Sequence, residues 1–68
     1  MAQGRWFFRV IERGNGVWTC RRGRHDLDHH DSLQEALEHM TSVAVQHRPS
    51  EVVVHYLHGG VESAAILP

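Results

Sequence analysis

The stretch His25-Asp26-Leu27-Asp28-His29-His30-Asp31 sets imidazoles and carboxylates almost side by side. Both groups are good donors for zinc, nickel or manganese. On an extended strand, side chains two residues apart share a face, so Asp26, Asp28 and His30 would converge. His39, His55 and His58 lie further along and could each complete a site begun by His25, Asp26, Asp28, His29 and His30. The ligand spacing is not that of a familiar zinc motif, however, and the same residues serve equally as a polar, solvated loop whose aspartates help cap the next helix. The loop is the expected reading. Zinc or nickel would then bind no tighter than about micromolar, because donors on a mobile loop are not held in place for the ion. No cofactor is expected.

Catalysis finds little support. His55 could act as a general base, but a base needs a nucleophile or a substrate polariser beside it. No Ser/His/Asp arrangement, phosphate-cradling glycine loop or paired-carboxylate motif is visible. Cys20 shares its strand face with Trp18 and is expected to pack in the core. A chain of 68 residues also has little depth for a substrate pocket, which usually needs roughly 300 Å³ or more. The protein is therefore expected not to be an enzyme.

Charge is distributed unevenly. Residues 1–24 carry Arg5, Arg9, Arg13, Arg21, Arg22 and Arg24 against Glu12 alone, whereas the remainder carries Arg48 against seven carboxylates. A molecule with a basic and an acidic part can attract a copy of itself or a charged partner of either sign.

These side chains need a scaffold. Residues 5–12 are rich in aromatic and β-branched types and read as a strand, with Trp6, Phe8 and Val10 on one face. After the turn cluster Arg13-Gly14-Asn15-Gly16, a second strand from Val17 to Arg21 completes a hairpin. Residues 24–30 read as a short third strand or a loop. Ser32-Leu33-Gln34-Glu35 has the form of a capping box. From there Leu33, Ala36, Leu37, Met40, Val43, Ala44 and His47 form one apolar helical stripe, until Pro49 stops the helix. Glu51 to Leu57 is a strand, His58-Gly59-Gly60 a turn, and Val61 to Ile66 an edge strand. The expected fold is α+β: an antiparallel sheet of three to five strands with one helix of about four turns on one face, in the order ββ(β)αββ, forming a single domain over residues 1–68.

One helix cannot cover both sides of such a sheet. The face left open displays Arg5, Phe7, Arg9, Ile11, Val17, Thr19 and Arg21, a candidate binding surface. Arginine and phenylalanine are favoured anchors in protein interfaces, and arginines flanking an aromatic also resemble the platforms that stack nucleic-acid bases. A protein partner, above all a second copy of the chain, is expected ahead of nucleic acid. A core this small is marginal, and a lone cysteine allows no intramolecular disulfide, which fits a reducing cytoplasm and favours oligomerisation. No apolar run approaches the ~20 residues needed to span a bilayer, and the start Met1-Ala2-Gln3-Gly4-Arg5 does not read as a signal peptide. No membrane partner is expected.

Three segments carry a family resemblance: Gly16-Val17-Trp18 in the first hairpin, Ser32-Leu33-Gln34-Glu35-Ala36 at the helix start, and Val53-Val54-His55 followed by Gly60-Val61 in the last hairpin. In these the chain resembles the bacterial and phage family known as domain of unknown function 2188. The resemblance implies an α+β fold of about this length and no assigned chemistry.

Overall fold

A computed structural model describes residues 4–68. Residues 1–3, part of the stretch read above as lacking a signal peptide, lie outside the described residues. The elements are β1 (Trp6–Glu12), β2 (Trp18–Arg22), β3 (His25–His30), α1 (Leu33–Ala44), a 3₁₀ turn (Val45–His47), β4 (Ser50–His55) and β5 (Val61–Leu67). The strands form a single five-stranded sheet ordered β3-β2-β1-β4-β5.

Two hairpins flank the centre. In the first, Arg13 N–H donates to Val17 O at 2.8 Å and the Asn15 side chain accepts from Val17 N–H at 3.2 Å, the local bond that suits asparagine to turns. The second turn joins β2 to β3 through Gly23-Arg24, with Arg22 opposite His25 and Gly23 at φ +60°. A glycine at the first central position of a two-residue loop is the type II′ signature, so residues 25–30 pair as a strand and the loop alternative falls.

The sheet is mixed, which corrects the expectation of an antiparallel one. β1 and β4 run parallel, Trp6 opposite Ser50 and Ile11 opposite His55. The cause is α1. After an up-down-up start the helix carries the chain back across the sheet to the end where β1 begins. β4 then runs in the direction of β1 and pairs with the edge that β2 leaves free.

α1 covers one face. Phe8 and Val10 of β1, Cys20 of β2, Val52 and Val54 of β4, and Ala36, Met40 and Ala44 of α1 form the fully buried core. Leu33, Leu37 and Val43 pack around it, as the apolar stripe predicts. Trp6 stacks on Phe8 and meets His47, so the 3₁₀ turn closes the core at one end. The α-helix stops at Ala44, earlier than Pro49 alone requires, and Ser50 Oγ donates to the freed Ala44 carbonyl at 2.8 Å. That bond satisfies a buried helix-end acceptor. At the other end Ser32 Oγ accepts from Glu35 N–H at 3.1 Å. Ser32→Ala should lower stability by about 0.5–2 kcal/mol through loss of this cap. A urea midpoint equal to that of the parent would show that the cap contributes nothing.

Candidate functional site

β2, β3 and α1 bring four donor side chains together. Cys20 and Asp28 sit directly opposite each other on paired strands, and Trp18 lies opposite His30. His39 approaches from the helix above. Donor atoms of Cys20, Asp28, His30 and His39 all lie within 4.8 Å of one another. Asp28 Oδ2 is 2.8 Å from His39 Nδ1 and 3.1 Å from His30 Nε2. Despite these short distances, both nitrogens lack a hydrogen-bond partner, as does Asp28 Oδ1. The separations are those of hydrogen bonds but the directions are not.

Burial and the adjacent Asp28 carboxylate push the Cys20 thiol up to about 12. Its Sγ donates to Ala36 O at 3.5 Å. Cys20 is thus a core residue, as expected, and also one wall of a polar niche that its sequence neighbours did not announce.

The candidate set read from the sequence is split by the fold. β3 carries a bulge: Arg21 pairs with Asp26 but Cys20 pairs with Asp28, leaving Leu27 unmatched. The extra residue reverses the alternation, so Asp26 does not share a face with Asp28 and His30, contrary to the convergence expected for a regular strand. On the open face, Asp26 accepts from Arg21 Nε at 2.7 Å and lies 3.9 Å from Arg13. The Arg21 hydrogen bond holds the Asp26 carboxyl below its ordinary range. His29 Nδ1 is 2.9 Å from Thr19 Oγ1, which also accepts from Arg13 Nε at 3.0 Å. His25 ends the strand beside the turn and joins neither group. His55 lies on the open face of β4, across β1 and β2 from β3, and His58 lies in the β4–β5 turn.

The other candidate surface keeps most of its members. Arg5, Phe7, Arg9, Ile11, Thr19 and Arg21 all face away from α1, and Val17 precedes β2 on the same side. Thr19, however, is fully buried beneath Arg13 and His29 and offers no contact surface. Arg5 pairs with Glu51 at 3.1 Å. Hydrogen bonds from Ser63 first, and then from Arg5, hold the Glu51 carboxyl below its ordinary range.

Across β1, β4 and β5 the open face forms a three-by-three grid. Its rows are Phe7-Glu51-Ile66, Arg9-Val53-Ser63 and Ile11-His55-Val61. Apolar residues occupy the corners and the centre, and polar residues the positions between. Phe7, Ile66 and Val61 are 48%, 58% and 62% exposed. Diagonal neighbours on a sheet are within reach of one another's side chains, so the five apolar positions act as one patch.

A groove of about 570 Å³ opens where β1 extends past the β2–β3 turn, lined by Arg5, Trp6, Phe7, Arg9, Arg22 and His25 among others. The volume comes from an open surface at the sheet's end, not from depth. Its lining offers cations and aromatic rings, without a carboxylate or nucleophile.

Residues 8–64 match the family described as "Uncharacterized protein conserved in bacteria (DUF2188)". The chain belongs to this family. The match spans the sheet and helix from β1 into β5, as the hairpin and helix-start motifs implied. No curated protein and no solved structure matches the chain. Among the described residues, no helix is long and apolar enough to cross a membrane.

Proposed function

We propose that this protein is a non-enzymatic interaction module of a reducing cytoplasm, and that it self-associates through the open face of its sheet. The observation that carries this reading is the grid of alternating apolar and polar residues on β1, β4 and β5, with three of its apolar members about half exposed or more. An apolar patch of this kind marks interaction sites. A chain of this size gains stability by burying it.

The grid is self-complementary. A two-fold axis lying in the interface along the Phe7–Val53–Val61 diagonal stacks two sheets with their strands near perpendicular, one of the two common sheet packings. It lays Ile11 over Ile66 of the second copy, and Arg9 over Glu51. Apolar then meets apolar and cation meets anion, and each contact occurs twice, as an isologous interface requires.

Sedimentation velocity over about a hundredfold range of concentration should show a species near twice the chain mass that dissociates on dilution. Phe7→Asp should abolish it. Arg9→Glu and Glu51→Arg should each weaken it, and the two together should restore it. A single monomeric species at high micromolar concentration, with or without these changes, would remove self-association as the function. It would leave the patch to a different protein or, through the arginine-lined groove, to nucleic acid.

A further inference from the structure

We infer that Cys20, Asp28, His30 and His39 form a zinc-binding site that ties β2, β3 and α1 together. The site is independent of the open face, which lies on the other side of the sheet.

The donor set points to zinc. One thiol, two imidazoles and one carboxylate are the ligand types zinc takes in tetrahedral sites, whereas calcium and magnesium prefer oxygen alone. Zinc bonds of about 2.0–2.3 Å place tetrahedral ligands roughly 3.3–3.8 Å apart. The four donor atoms are already within 4.8 Å, two of the contacts with Asp28 at 2.8 and 3.1 Å. Closing the rest takes small torsions of side chains that sit on regular elements. Donors held on two strands and a helix are more rigid than donors on a loop, and the weak binding expected of a loop does not apply.

Two further observations favour a ligand over a chance polar cluster. His30 Nε2, His39 Nδ1 and Asp28 Oδ1 are buried atoms without a hydrogen-bond partner. Such atoms are few in folded proteins and each needs a reason, an ion being one. The second is the bulge. Without it, regular pairing from the Gly23-Arg24 turn would put Leu27 opposite Cys20 and under the helix. Instead Leu27 is 41% exposed while Asp28 and His30 point inward. The strand gives up burial of its only apolar side chain and turns two polar ones toward the core. Departures of this kind from hydrophobic patterning, and bulges in particular, gather at functional sites.

As zinc binds, a bond forms from Sγ of Cys20 to the ion and the thiol proton leaves to solvent. Lone pairs of His30, His39 and Asp28 supply the other bonds. With four protein donors the ion has no open position, so the site is structural and performs no chemistry of its own.

The test uses the full chain, stripped with a chelator and titrated with zinc chloride by calorimetry and native mass spectrometry. One ion per chain should bind, with a dissociation constant below about 1 μM. Cobalt in place of zinc should give the intense visible absorption of a tetrahedral site and a thiolate-to-cobalt charge-transfer band. Cys20→Ser should abolish that band. His39→Gln, at a half-buried helix position outside the apolar core, should weaken zinc by at least about a hundredfold, more than loss of an outer-sphere partner does. His25→Gln and His29→Gln should leave affinity unchanged. Zinc binding no tighter than about 1 μM overturns the site. So does tight binding that survives His39→Gln, or a cobalt complex without the thiolate band.

Discussion

Phe8→Ala should remove much or all of the chain's stability, while Phe7→Ala, one residue away, should unfold much as the monomeric parent does. Phe8 is fully buried on the central strand, flanked by Arg22 of β2 and Val52 of β4, with Trp6 and His47 against its ring. It is the largest of the fully buried side chains. Truncating a buried phenylalanine costs about 3–5 kcal/mol, from lost transfer energy and the cavity left behind. At roughly 0.05–0.15 kcal/mol per residue, a domain of this size has on the order of 3–10 kcal/mol in all. The substitution therefore removes a large share of the stability, and at the lower end all of it. In the monomer, at dilutions that dissociate the proposed dimer, Phe7 points to solvent on the open face, where truncation usually changes stability by less than about 0.5 kcal/mol. Urea unfolding followed by circular dichroism separates the two. Equal midpoints for Phe8→Ala and the parent would mean that α1 does not pack on this face.

The contrast between these neighbours was legible in the sequence because period-two alternation puts them on opposite faces, and Arg5 and Arg9 beside Phe7 mark its face as the uncovered one. The helix was legible for a similar reason: the Ser32 cap and the three- and four-residue apolar steps agree with each other. What escaped depends on longer-range geometry. Nothing local in β1 or β4 says that they run parallel; that follows from the number of strands before the helix. The count depended on residues 24–30, whose polarity hid a strand. Gly23-Arg24 carried the signal for it, as a glycine-first two-residue turn. Even with the turn recognised, regular pairing places Asp28 opposite Thr19 and separates it from Cys20. Only the bulge at Leu27 brings Cys20 and Asp28 together, and bulges have no sequence signature strong enough to read. The candidate metal ligands were thus found by type: Asp28, His30 and His39 reach the site, while His25, Asp26, His29, His55 and His58 do not. The cysteine was set aside as core because its partner strand was not in view.

If the site binds zinc, the melting temperature of the chelator-treated protein should rise by roughly 10–20 °C when free zinc reaches about a hundred times its dissociation constant. Binding to the folded state alone adds RT ln(1 + [Zn]/Kd), about 2.7 kcal/mol at that excess. Each kcal/mol moves the midpoint of a 60–100-residue domain by about 4–8 °C. The shift is large because the domain is small, and because the ion joins two strands to the helix that covers them. Unfolded chains with seven histidines and a cysteine also bind zinc, which reduces the effect. The decisive quantity is therefore the zinc-induced shift in the parent minus that in Cys20→Ser and in His39→Gln. His39→Gln keeps six of the seven histidines and the cysteine, and so most of the unfolded-state binding, while Cys20→Ser also removes the unfolded chain's one thiol; both lack the assembled site. A zinc shift of the same size in all three proteins would place the ion elsewhere on the chain. Destabilisation by zinc in all three would mean that the unfolded state is its better ligand, and that β2, β3 and α1 are held together by the buried core alone.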